Sequence, residues 1–242
     1  RLDADGRPVQ VGFLPWQGNW YHYGWIWTFG GDYFDAAAFR PTLDRRENVE
    51  AFEWMAEYAR RYGTERELSA LGFTWDGFAN GKLSMMVAHH YADEDFRLSN
   101  PSLEFWGGPA PHPPGGRNGT WSGGFAFIVP VGGRHPEAAR RFLRYAADPE
   151  TQVRYYLRTG AVPATLEGIR AIQELAPPLH RLFLAQAAES NWRRPFTSLI
   201  TGPLDQAQGA VVNLRAPPRQ ALEEQQALLF AQYAKIWGAA AR

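Results

Sequence analysis

Residues 123–150, GGFAFIVPVGGRHPEAARRFLRYAADPE, carry the reading on which the fold class rests. A glycine pair opens the stretch, and Phe125-Ala126-Phe127-Ile128-Val129 follows without a polar break. Five apolar residues in a row predict a strand covered on both faces. A proline/glycine turn comes next, and Pro136 stands where the first turn of a helix tolerates it. Ala138, Ala139, Phe142, Leu143, Tyr145 and Ala146 then fall on one helical face, with Arg140, Arg141 and Arg144 largely on the other. Asp148-Pro149 ends that helix. One buried strand feeding one amphipathic helix is an α/β unit.

Working outward, the 242-residue chain is 45% hydrophobic and 21% charged, enough for one large domain or two modest ones. Its formal net charge is zero, so no global field gathers nucleic acid, acidic lipid or anionic substrate. Cysteine is absent, which removes thiol chemistry, disulfides and Cys-based metal sites and is compatible with an oxidising compartment. No apolar run approaches the roughly 18 residues of a membrane-spanning helix. Aromatic residues make up 14% of the chain, and several of them lie outside any periodic core pattern. Tryptophan and tyrosine in excess mark surfaces that grip flat, amphipathic ligands.

Strands are expected over 9–15, 83–88 and 103–107, the second buried on both faces. Residues 16–27 read as an aromatic loop entering a helix that closes at Gly30-Gly31, with Trp25 and Trp27 in the core. A helix over 48–62 shows apolar Val49, Phe52, Met55, Ala56 and Ala59 and ends at Gly63. A short helix covers 75–80, and 101–119 is a Pro/Gly-rich connector. From 166 onward the pattern is helical, interrupted by Pro177-Pro178, Pro195, Gly202-Pro203 and Pro217-Pro218, with a long last helix over 222–237. Strands alternating with helices predict a mainly parallel sheet.

Four segments, in order, resemble the family 1 extracellular solute-binding proteins, the sugar receptors of bacterial ABC importers. LDADGRPVQVGF (2–13) resembles the family's turn that opens the second lobe, and WYHYGWIWTFGGD (20–32) its aromatic loop and helix ending in Gly-Gly. FANGKLSMMV (78–87) is similar to its "F-x-x-G-K-x-A-M" turn and strand, and the fourth segment is 123–150. The resemblance implies a two-lobed α/β fold of the periplasmic binding protein type II class, with ligand between the lobes. It implies that 1–117 and 161–242 build the second lobe, with 118–160 returning to the first as one strand and two helices. Most of the first lobe, with any export signal or lipid anchor, is expected outside this sequence.

The same resemblance nominates the site. Trp20 takes the place of the sugar-facing aromatic, with Tyr23 beside it; Tyr91 falls where the family stacks a tryptophan after its strand. His89-His90 replace the family's Gly-Pro there, which narrows the cleft and adds donors. Gly123-Gly124, preceded by Trp121, are expected to line the cleft with backbone N–H groups that no Cβ shields. Trp192 and Arg194 are further candidates, the latter in an Arg-Pro pair that resembles trehalose- and maltose-type members. Each has a plainer reading: core aromatics for Trp20 and Tyr23, a tight turn for the glycines, a solvated cation for Arg194. Adjacent histidines without Cys or carboxylate at metal spacing make a poor metal site. Asp93-Glu94-Asp95 read as acids that cap the next helix rather than as a glycosidase pair, which needs two carboxyls facing across a bond.

The implied function is that of a lobe-closing receptor for a mono- to oligosaccharide, peripheral to the membrane and periplasmic or extracellular. It would need no catalytic residue, metal or cofactor and no nucleic acid; as a full-length monomer it would hand its sugar to permease subunits. The alternatives are a carbohydrate-active enzyme using Asp76, Asp93 and Glu94, and a receptor for glycerol 3-phosphate or a related ester held by arginines.

Overall fold

The computed structural model describes residues 1–18, 22–121, 126–192 and 197–237. Its core is built by helices α1 (His22–Thr28), α2 (Arg46–Tyr62), α9 (Thr197–Val212) and α10 (Pro218–Trp237), which pack on one another; the short helices α3 (Glu65–Ala70) and α7 (Leu166–Gln173) lie among the elements between. α2 forms where the apolar spacing predicted it and buries Val49, Phe52, Met55, Ala56 and Ala59. Gly63, at φ 113°, closes it with its N–H on the carbonyl of Ala59. Trp25 and Trp27 are buried in this core, as expected, and the indole Nε1–H of Trp25 donates to Pro15 O at 2.7 Å.

Buried amides tie the loops between these helices. Asn48 Nδ2 donates to the carbonyls of Asp32, Thr42 and Leu43 at 2.8–3.1 Å. Gln226 of α10 accepts from Leu43 N and donates to Pro41 O, both at 2.7 Å. A small antiparallel pair, β1 (Phe34–Asp35) and β2 (Arg40–Pro41), lies between these anchors and was not expected from the sequence. Its two-residue strands are too short to show a period of two.

The prolines act as helix starters more than as breaks. Pro178 opens α8 (Pro178–Ser190) and Pro218 opens α10, at the position where a missing N–H costs nothing. Pro203 stands inside α9, and the helix runs through it because Ile200, Leu204, Ala207 and Val211 are all buried along one face.

The expected long strands are corrected by the structure. Residues 83–88 are mostly half-buried or exposed, with Leu83 alone buried, and they make isolated parallel bridges to 11–18 in place of a ladder. Leu103 to Gly107 has no strand partner. Ala126 to Val129, the described part of the predicted five-residue strand, carries no ladder either, and Phe127 and Ile128 are 70% and 81% exposed. Helix α5 (Pro136–Ala147) follows as predicted and ends at Asp148, but buries none of its residues. Asp148 then accepts from Thr151 N and caps α6 (Pro149–Thr159), which Gly160 closes at φ 68°.

Candidate functional site

The segments 11–18 and 83–87 run parallel and end on the same side. Val11 N donates to Lys82 O at 2.8 Å, Ser84 N to Val11 O at 3.1 Å and Met85 N to Gly12 O at 2.9 Å. A last bridge joins Gly18 to Val87. At φ 104°, with Val87 O only 1.9 Å from where a Cβ would sit, position 18 admits glycine alone. The carboxyl ends of parallel segments are where open α/β folds bind ligands.

His89, His90 and Tyr91 follow at once, ahead of helix α4 (Ala92–Ser99). The His89 ring lies between two aromatic faces: Trp75, at 5.2 Å and 20°, and Tyr91, at 3.9 Å and 31°. Burial pushes the His89 imidazole below its usual range, so it sits in this stack as a neutral ring, with the Asp95 charge opposing. Its buried Nδ1 has no partner. The outer ring of the stack, Tyr91, is 40% exposed, and backing by two rings holds it in place as a platform.

His90 turns the other way, into a crevice shared with Tyr156, Gly160, Val162 and His180. Its Nε2 accepts from Val162 N at 3.3 Å, which requires an unprotonated nitrogen. Burial, and then the neighbouring His89 and His180 rings, pull its pKa down to about 4, with Asp93 opposing. A buried chain adjoins it. Tyr156 Oη lies 3.0 Å from His180 Nδ1, and His180 Nε2 lies 3.2 Å from both carboxylate oxygens of Asp93. Asp93 was read from sequence as part of an acidic start to the next helix. The capping expectation is corrected: Tyr91 takes the N-cap position of α4 with no side-chain cap bond, and Asp93 stands in the first turn with its carboxylate turned to His180.

A second pair comes together farther along. The short strand β3 (Thr120–Trp121) pairs in parallel with β4 (Asn191–Trp192), so Trp121 stands opposite Trp192 in register. Helix α8 packs against both strands and carries His180 near its start. His180 and the strand pair thus stand at opposite ends of α8, ten residues or about 15 Å of helical rise apart. Tyr23 lies in the first turn of α1. Trp20, Gly123, Gly124 and Arg194 lie outside the described residues.

Tyr156 and His180 were missed by sequence reasoning. One signal existed: in PLHRLFLAQAA the histidine shares a helical face with Phe183 and Leu184, and a polar residue on an apolar stripe needs partners. Among the described residues no group of three His, Cys, Asp or Glu side chains could hold a metal ion.

The profile of the family described as "Bacterial extracellular solute-binding protein" matches residues 1–153. The chain belongs to the bacterial extracellular solute-binding proteins. Membership places it in the periplasm or outside the cell. A curated relative, the maltodextrin-binding protein MdxE of Bacillus subtilis, is 25% identical over 169 residues, which cover 66% of this chain and 40% of MdxE. Among solved structures, CpMnBP1 with mannobiose bound superposes with a TM-score of 0.82 at 23% identity, over 94% of this chain and 60% of that one. MalE of Listeria monocytogenes in complex with maltose gives 0.79 at 16% identity, over 97% and 63%. The fold is therefore the mostly helical α/β, type II fold of periplasmic sugar-binding proteins, and this chain spans about three fifths of those solved proteins.

Proposed function

We propose that the protein is the substrate-binding component of an ABC importer, which encloses a mono- to oligosaccharide by hinge closure and delivers it to membrane permease subunits. The observation that carries this reading is the Trp75–His89–Tyr91 stack, which ends in a half-exposed ring at the carboxyl ends of two parallel segments. A sugar offers one face of C–H bonds and a rim of hydroxyls. A fixed aromatic face covers the first, and histidine and backbone groups serve the second. Fold neighbours bind mannobiose and maltose, which supports the same ligand class.

In this reading 1–117 and 161–242 belong to one lobe and 118–160 to the other, and Trp121, Gly123 and Gly124 meet ligand from the far side. Only the closed state satisfies both sets of contacts, so ligand shifts the population toward closure. The receptor acts without a cofactor or covalent step. The enzyme alternative is weakened by Asp93, whose carboxylate faces His180 inside the fold, where it cannot serve as half of an acid/base pair.

Calorimetric titration with maltose, mannobiose, trehalose, sucrose and glycerol 3-phosphate tests the reading. Heat with at least one sugar is expected. Binding of a peptide or metal with no response to any sugar would refute it, as would hydrolysis of a labelled oligosaccharide that disappears in Asp93→Asn.

A further inference from the structure

The Asp93–His180–Tyr156 chain joins three separate elements: α4, which begins directly after Tyr91; α8; and α6, which ends at Gly160. All three side chains are buried or nearly so, and both bonds have good lengths. Their direction follows from the protonation of the ring. An ionised carboxylate only accepts, so His180 Nε2–H donates to Asp93, and in the neutral ring Nδ1 accepts the Tyr156 hydroxyl. A protonated ring would keep both bonds, since Nδ1–H could donate to the phenol oxygen. Burial, followed by the Asp93 charge, raises Tyr156 above its usual range and keeps it a phenol.

Two further contacts close the arrangement. Val162 N donates to His90 across 72 residues of sequence. A Cβ at Gly160 would meet Tyr91 Cβ and His180 Cε1, each at 3.5 Å, so the turn that ends α6 lies against the base of the platform residue. Residues 90–93 and 156–162 are thus held together by a bond to the backbone, a buried three-member chain and a van der Waals contact.

We propose that Asp93, His180 and Tyr156 are positioning residues that lock the segment bearing His90 and Tyr91 to the chain crossing at 159–162, so that ligand contact at Tyr91 is transmitted to the hinge. The hinge assignment rests on the receptor reading above; the lock itself does not. Asp93 has no competing role, because the carboxylate is already committed to His180. A lock of this kind gives a role to the histidine that stands beside Phe183 and Leu184 on the apolar stripe of α8.

Amide hydrogen exchange on this chain tests the lock without ligand. In His180→Ala, amides of 92–96 and of 156–162 should exchange about tenfold faster or more, the loss expected for hydrogen bonds to a charged group. Those of α2, which shares no partner with the chain, should be unchanged. Tyr156→Phe, which removes one hydroxyl, should accelerate 156–162 more than 92–96, and it serves if His180→Ala does not fold. His180→Gln, which keeps one donor and one acceptor, should restore part of the protection. Unchanged exchange in 92–96 and 156–162 in both His180→Ala and Tyr156→Phe would overturn the lock.

Sugar titration then tests transmission. His180→Ala should weaken affinity about tenfold, with partial rescue by His180→Gln, although neither side chain is placed on the sugar. Equal affinity in wild type and His180→Ala would overturn transmission. If the wild type binds no sugar, the receptor reading fails while the exchange result still decides whether the lock exists.

Discussion

Helices α2 and α5 carry similar amphipathic patterns and meet opposite fates. α2 buries an apolar stripe from Val49 to Ala59 under α1, α9 and α10. α5 leaves Phe142 and Tyr145 half or more exposed, and the preceding Phe127 and Ile128 are barer still. Periodicity states which face of a helix wants cover; it does not state that the cover lies on the same stretch of chain. The uncovered face of α5 fits the proposed assignment of 118–160 to the other lobe, although α6 already packs Tyr156 against Ile172 and Leu184.

The sharpest way to break the contrast is a matched pair of truncations. Phe52→Ala should cost about 3–5 kcal/mol, because Phe52 is fully buried in a packed core. Phe142→Ala should change denaturant stability by less than about 0.5 kcal/mol. Comparable losses in the two would show that α5 is covered after all.

Asn48→Ala should fall next, at about 2–3 kcal/mol. It takes the amide donor from the buried carbonyls of Thr42 and Leu43, while that of Asp32 keeps the Thr42 hydroxyl at 3.0 Å. Thermal or urea unfolding reads the loss.

Acidification probes the border between the two regions, where His90 sits. Its folded pKa is pulled down to about 4 from 6.5, so the unfolded chain takes up a proton first as pH falls. The stability it contributes is complete above pH 6.5, declines between 6.5 and about 4, and levels off below. The decline should be on the order of 3 kcal/mol and should flatten in His90→Asn, followed by urea midpoints against pH.

The smallest effect concerns the bare face. Phe127→Ser together with Ile128→Ser should leave stability within about 0.5 kcal/mol while reducing binding of an apolar dye and self-association.

Much of the helical frame was legible because burial and periodicity coincide there. α2 with its glycine stop, the end of α5 and the core placement of Trp25 and Trp27 all follow from residue spacing. The strands were not legible. Apolar runs at 83–88 and 125–129 look like buried strands, yet the former is bridged only at its ends and the described part of the latter has no partner. Composition reports a wish for cover, whereas a ladder needs a neighbouring edge. Tyr91 was singled out by the resemblance and by its place after 83–87, but its backing by Trp75 and His89 was not legible, since rings 14 residues apart signal nothing along the chain. Tyr156, His180 and Asp93 belong to the same class: partners 24 and 87 residues apart form no motif.

The central claim is that Tyr91 is a sugar platform, and one titration tests it. Mannobiose and maltose titrated calorimetrically into wild type, Tyr91→Ala and Phe142→Ala should show binding weakened about tenfold or more in Tyr91→Ala alone. Wild-type affinity retained by Tyr91→Ala, with every protein folded, would contradict the account.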